Sequence, residues 1–163
     1  MITQSELKEL LDYNSETGVF TWLKSTTKSV KVGSVAGGKN NRGYMRIGIN
    51  KKRYLSHRLV WLYVYGYFPK YDIDHINNNP SDNRLCNLRE ATTPQNQHNV
   101  KMMKTNTSGI KGVCFDKNRN KWMAQLQVNN KRIRLGRFDN LDDAKLAIEN
   151  ARIKYHGKYA NHG

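Results

Sequence analysis

Residues 71–99 carry the pattern that most restricts what this chain can become. A short strand-like run at 71–76 leads into a polar turn at 77–83 that contains Pro80. A second strand-like run follows at 85–89, and a helix start at Thr93-Pro94. Thr93 offers a hydroxyl N-cap, and Pro94 suits the first helical position, where no backbone N–H is needed. Strand, loop, strand and helix thus succeed one another within about 30 residues. Such a unit must be a small module, because each element is too short to bury a large face.

Composition points the same way. Only 37% of the 163 residues are hydrophobic, so the chain can bury only modest cores, as one ordinary domain or two small ones. Charge narrows the function: 28 Lys and Arg stand against 13 Asp and Glu, a net +15. A field of that sign concentrates polyanions and speeds their encounter. The segment between Thr17 and Tyr71 holds eleven basic residues and no acidic one. Residues 1–104 carry +8 (16 basic against 8 acidic) and residues 105–163 carry +7 (12 against 5), which suits a protein laid along a duplex. The expected partner is double-stranded DNA. No run approaches 18 apolar residues, so no membrane role is expected. The start of the sequence has no charged-then-apolar signal, and the expected location is the cytoplasm. Cys86 and Cys114 lack paired spacing, which supports neither a structural zinc nor a disulfide framework. No dimer signature is visible, and a monomer is expected.

Along the chain, Thr3 and Glu6 form a capping box for a helix over residues 4–13. Residues 19–23 alternate as a strand, residues 24–41 read as a basic irregular arm or loose hairpin, and residues 44–49 and 53–55 as a hairpin around Asn50-Lys51-Lys52. Ser56 is a candidate cap for a helix reaching Tyr65, ended by Gly66 and Pro69. Residues 100–108 have no period and read as a linker. Three strand-like runs follow (110–115, 121–128 and 131–138), joined by Asn-rich turns. A last helix begins among Asp139–Asp143 and carries Ala144, Ala147, Ile148 and Ala151 on one stripe. The fold class is α+β: a strand–strand–helix module with an N-terminal hairpin arm, then a three-stranded antiparallel sheet with one helix. The boundaries are 1–55, 56–100, a linker at 101–108, and 109–163.

The first module gathers the parts of a phosphodiester hydrolase. Such a reaction needs an activated water and relief of charge on the phosphoryl oxygens. Asp74 is a hard anionic ligand and Asn96 a neutral oxygen ligand, a pair that favours one Mg2+ or Mn2+ over zinc. His75 titrates near neutrality and can take a proton from water. Adjacent strand residues point to opposite faces, so Asp74 and His75 can share a phosphate only near a strand end. In the first turn of the helix, Asn96 shares a face with Asn99 but not with His98. Asn87 can hydrogen-bond across the loop and fix the His75 ring. In the second module, Gln125 and Gln127 share a face with Arg132 and Arg134, residue types that read adenine and guanine edges in the major groove.

Ser56-His57-Arg58-Leu59-Val60-Trp61, Asp74-His75-Ile76-Asn77, Asp82-Asn83-Arg84 and Asn87-Leu88-Arg89 followed by Asn96 resemble the HNH endonucleases of phage and intron homing type. The resemblance implies the ββα-metal fold, with Asp74 and Asn96 as metal ligands, His75 as general base and Asn87 as the orienting amide. It departs at the last position, Asn where the name-giving pattern has His. His57, Arg58, His98 and Asn99 are candidate phosphate contacts or alternative ligands. Gly112-Val113, Lys121-Trp122, Ala124, Lys131-Arg132, Leu135-Gly136 and Phe138 resemble an AP2 DNA-binding domain. That resemblance implies DNA contacts at Lys111, Arg119, Gln125, Gln127, Arg132 and Arg134. The implied function is a metal-dependent endonuclease acting on double-stranded DNA, of the homing type. The rivals are a non-catalytic DNA-binding regulator with a decayed nuclease site and a nuclease of phage DNA metabolism.

Overall fold

The computed structural model describes residues 1–99, 102, 105–129 and 131–162, the side chain of His98 aside. The expected linker at 101–108 therefore lies in part outside the described residues, as does Asn130 of the last hairpin turn. The chain divides into two compact units, Met1–Thr92 and Thr93–Gly163.

The first unit opens with α1 (Gln4–Leu10), held by the expected capping box between Thr3 and Glu6. The helix does not reach Tyr13. Leu11–Asn14 is instead a strand, β1, paired antiparallel with β2 (Val19–Trp22), with Leu11 opposite Trp22 and Tyr13 opposite Phe20. The pairing places Leu11, Phe20 and Trp22 together in the buried core, where apolar burial stabilises the strand. Next come β3 (Gly38–Lys39), β4 (Met45–Ile49) and β5 (Lys52–Leu55), a three-stranded sheet in the order β3-β4-β5. Asn50 and Lys51 both have positive φ, the geometry of a two-residue hairpin turn.

Helix α2 spans Ser56–Tyr65, as expected, but Ser56 does not cap it. Leu55 occupies the cap position without a side-chain bond, while Ser56 lies buried inside the first turn. Gly66 in the left-handed conformation ends the helix. Leu7, Leu11, Phe20, Ile47, Ile49, Leu59 and Val60 form the core between α1, α2 and the strands. β6 (Asp72–His75) pairs antiparallel with β7 (Leu88–Ala91). The second strand thus starts three residues later than the sequence suggests. Residues Leu85–Asn87 form a 3-10 turn instead, which spends the backbone of Asn87 on closing the loop.

The second unit begins with α3 (Thr93–His98). β8 (Val113–Asp116), β9 (Lys121–Val128) and β10 (Lys131–Phe138) form an antiparallel sheet in the order β10-β9-β8, with α4 (Leu141–His156) packed on it. The first of these strands starts at Val113, not at residue 110. Residues before it are held by side chains: Ser108 Oγ donates to Val113 O at 2.8 Å and Asn106 Nδ2 to Ile110 O at 3.0 Å. Gly112 has positive φ, and a Cβ there would stand 2.7 Å from Gln125 O. The core consists of Val113, Ala124 and Leu126 against Ala144, Ile148 and Ala151, much of the stripe read from the sequence. Asn140 caps α4 by accepting from the Asp143 backbone N–H. Among the described residues no helix is long and apolar enough to cross a membrane.

Candidate active site and nucleic-acid interfaces

His75 is the last residue of β6, and Asp74 precedes it. Both are buried, at 5% exposure each. Asp74 sits directly opposite Arg89 in the β6–β7 ladder. Arg89 Nε donates to Asp74 Oδ2 at 2.8 Å, and Nη2 lies 2.7 Å from the same oxygen. Such a charge-assisted double contact fixes the carboxylate's orientation.

The His75 ring meets Asn83, whose Oδ1 is 3.1 Å from Nε2. An amide oxygen only accepts, so Nε2 carries the proton and Nδ1 carries the basic lone pair. Burial lowers the pKa of His75, against smaller opposing effects of the Asn83 hydrogen bond and the charges of Asp74 and Asp82. The imidazole is therefore neutral at neutral pH, the form a base requires.

Asn87 hydrogen-bonds across the loop, as expected, while the amide that meets the His75 ring is that of Asn83. Asn87 Oδ1 accepts from the Asn77 backbone N–H at 3.0 Å, and its Nδ2 donates to Asn77 Oδ1 and to Asp82 O at 3.0 and 2.8 Å. Asn87 thus ties both ends of the 77–82 loop, and that loop presents Asn83 to the ring. Asn83, 1% exposed, is the amide that sequence reasoning missed. Its support comes from the other side as well. Tyr13 Oη donates to Asn83 O at 2.9 Å, and Gly18 leaves space for the Asn83–Arg84 backbone that a Cβ would enter at 2.4–2.5 Å. A Gly at that turn is the only sequence sign of the close approach.

His57 lies on α2 and is buried at 5% exposure, its ring edge-on to that of His75 at 5.1 Å. Tyr44 closes the cluster, 5.5 Å from His57 and 5.8 Å from His75. Burial, with the neighbouring His75 and Arg58, pushes the His57 pKa down to about 3. His57 is thus a neutral, buried wall of the site. Arg58 donates to Pro69 O at 3.0 Å, tying α2 to the chain entering β6.

Tyr44 also borders a cavity of about 850 Å3 over the β3-β4-β5 sheet, lined by Lys39, Arg42, Arg46 and Arg53 and by no carboxylate. This basic groove therefore shares with the His75 cluster one lining residue, Tyr44.

In the second unit, Asn96 lies in the last turn of α3 and Asn99 just beyond it, the latter 3% exposed. Asn99 is engaged by Asn161, whose Nδ2 donates to Asn99 Oδ1 at 2.8 Å and lies 3.2 Å from Asn99 O. The His98 side chain lies outside the described residues. Arg132 stands opposite Gln127 and Arg134 opposite Gln125, so the four share one face of the sheet. Leu135, the extra residue of a bulge, then shifts the register. Lys111, Gln125, Gln127 and Arg132 line a cavity of about 640 Å3 together with Thr93 and Gln97 of α3. Burial and the neighbouring Arg152 bring the pKa of Lys111 down to about 8. Arg119 is not part of this cluster; it lies in the β8–β9 turn beside Asp116, 3.6 Å away.

Among the described residues no three His, Cys, Asp or Glu side chains gather as a metal cluster. The carboxylate of Asp74 is a hard oxygen donor, of the kind a Mg2+ or Mn2+ ion takes in preference to zinc. Cys86 and Cys114 are both free thiols.

Residues 54–98, from the end of β5 through α3, match the HNH endonuclease family, and residues 108–158 match the AP2 domain. Protein 3.8 of Escherichia phage T7 is 37% identical over 105 residues, which span 64% of this chain and 86% of that protein. The solved structure of the HNH homing endonuclease I-HmuI, in work on its DNA binding and cleavage, is similar at a TM-score of 0.42 and 21% identity. The similarity covers 90% of this chain and 85% of that one.

Proposed function

The chain belongs to the HNH endonucleases and carries an AP2 domain behind its nuclease module, and on that premise we propose that it is a metal-dependent endonuclease that hydrolyses phosphodiester bonds in double-stranded DNA, of the site-specific homing type. The observation that carries this reading is the buried, neutral His75 with its Nε2 proton committed to Asn83. Nδ1 then takes the proton of a water molecule as its oxygen attacks phosphorus. Asp74 and Asn96 would hold one Mg2+ or Mn2+, which when bound relieves charge on the phosphoryl oxygens and polarises the leaving oxygen.

Asn87 and Tyr13 keep the Asn83 loop in place, and His57 excludes water from the inner side of the ring. The basic groove lined by Lys39, Arg42, Arg46, Arg53 and Tyr44 tracks the backbone of the duplex. Gln125, Gln127, Arg132 and Arg134 read base edges from the AP2 sheet, with Lys111 and Arg119 on phosphates. The enzyme works as a monomer in the cytoplasm of its host cell.

Supercoiled plasmid carrying candidate sites tests the proposal directly. Wild-type protein with Mg2+ or Mn2+ nicks or linearises it, and His75→Ala removes cutting at unchanged DNA affinity. Binding without any cutting across a library of sites would overturn the nuclease reading in favour of a regulator.

A further inference from the structure

α3 is six residues long, too short to be stable alone, and its Thr, Asn and His content gives little intrinsic helix preference. Its geometry must be held by tertiary contacts. Two are in view within the second unit. α3 packs against the 3-10 turn Gly157–Tyr159, whose Tyr159 is buried, and Asn161 just beyond that turn bonds Asn99. The Asn99 backbone N–H in turn donates to Asn96 O at 3.1 Å. Hydrogen bonds thus run from the Asn161 side chain through Asn99 to the backbone of Asn96, the residue carrying the candidate ligand. Asn99 and Asn161 both lie just outside the family matches, which end at residues 98 and 158, so neither family accounts for their contact.

We propose that Asn161 is a positioning residue for the nuclease site: by binding Asn99 it sets the last turn of α3 and thereby the placement of Asn96. The proposal rests on the reading of Asn96 as a metal ligand. Its chemistry is specific. Asn161 Nδ2 donates to two oxygens of Asn99, which Asp at 161 cannot do. Asp also places a negative charge against Asn99 Oδ1. A shared brace of this kind makes the segment behind the AP2 match a determinant of metal affinity, while the DNA-reading face of β9 and β10 is left untouched.

The test uses full-length Asn161→Asp, Asn161→Ala and Asn161→Gln in three measurements: amide hydrogen exchange, Mn2+ titration by paramagnetic resonance without DNA, and DNA affinity in a chelator. Loss of one buried hydrogen-bond pair predicts exchange in α3 faster by about tenfold and Mn2+ affinity weaker by about three- to tenfold in Asn161→Asp and Asn161→Ala. Asn161→Gln recovers part of both. Exchange in α4 and β9 and the DNA affinity stay within about twofold of wild type. Unchanged exchange in α3, or unchanged Mn2+ affinity despite faster exchange, overturns the proposal. Equal acceleration in α4 and β9 overturns it too, by making Asn161 a residue of the fold. If wild type cuts no DNA while α3 loosens and Mn2+ affinity drops as stated, the nuclease reading fails and the positioning role stands.

Discussion

Arg89 holds Asp74 by a single oxygen: Nε and Nη2 both reach Oδ2, at 2.8 and 2.7 Å, across a directly paired position of β6 and β7. The contact joins fold and site, since the same carboxylate that locks the two strands is the candidate metal ligand. Removing the guanidinium takes the Arg89 charge away from a carboxylate that is 5% exposed, a change that costs about 3 kcal/mol in comparable buried pairs. Arg89→Ala should therefore lower the urea midpoint well beyond Arg89→Lys, which keeps the charge and loses the two-pronged grip. Equal midpoints for the two variants would show that the fork geometry contributes nothing.

The arrangement of Gly18 predicts a remote effect on the site. Its φ is +73°, and a Cβ there would meet Arg84 N at 2.4 Å and Asn83 C at 2.5 Å, both backbone atoms that cannot swing away. Gly18→Ala should destabilise by about 2–4 kcal/mol and shift the Asn83 loop away from His75. The check is the His75 ring resonance, which should move in Gly18→Ala and stay in place in Gly33→Ala, where a Cβ meets nothing within 4 Å.

Much of this architecture is legible in the sequence, and the parts that are not share one cause. α2, β9 and β10 match their expected bounds because hydrophobic period and turn residues agree with the tertiary context. The first helix is overextended because Leu11 and Tyr13 continue a helical stripe, and only their cross-strand partners Trp22 and Phe20 reveal a strand. Likewise Asp74 and His75 stand out by residue type, whereas Asn83 looks like any turn asparagine until the fold carries it to the ring. Local pattern does not encode a contact made by packing.

His57 sets an acid limit on stability. Its pKa is near 3 in the fold against about 6.5 in an unfolded chain, so between those values the unfolded state binds more protons. The stabilisation is fully present above about pH 6.5 and is lost as pH falls toward about 3, an effect on the order of a few kcal/mol. Denaturant midpoints at pH 7 and pH 5 should differ clearly for wild type. The difference should shrink in His57→Phe, whose ring keeps the packing against His75 and does not titrate. An unchanged difference would place the acid sensitivity elsewhere.

On the proposed mode of DNA binding, Arg134 and Arg119 should divide reading from anchoring. Arg134 stands opposite Gln125 on the shared polar face, whereas Arg119 lies in a turn beside Asp116. Arg134→Ala should lose about 1–3 kcal/mol of discrimination between cognate and altered sites. Arg119→Ala should weaken all sequences alike and flatten the salt dependence by roughly one unit of slope. Competition binding at two salt concentrations distinguishes them, and a uniform loss in Arg134→Ala would remove it from the reading face.

Asn83 offers the sharpest test of the proposed chemistry, because two substitutions should move one pH profile in opposite directions. The Asn83 hydrogen bond raises the pKa of His75 against the larger lowering by burial. In Asn83→Leu the acceptor is gone, so the pKa falls further and the acid limb of kcat/KM moves to lower pH. The rate on the plateau also drops by about 10- to 100-fold, because the Nε2 proton is no longer held in place. In Asn83→Asp an acceptor remains and a negative charge joins it, so the protonated ring is favoured and the acid limb moves to higher pH. His75 must be neutral to take a proton, and both shifts follow from that single requirement. Profiles that superimpose for wild type and both variants would show that the amide does not govern the ring, and would remove His75 as the base.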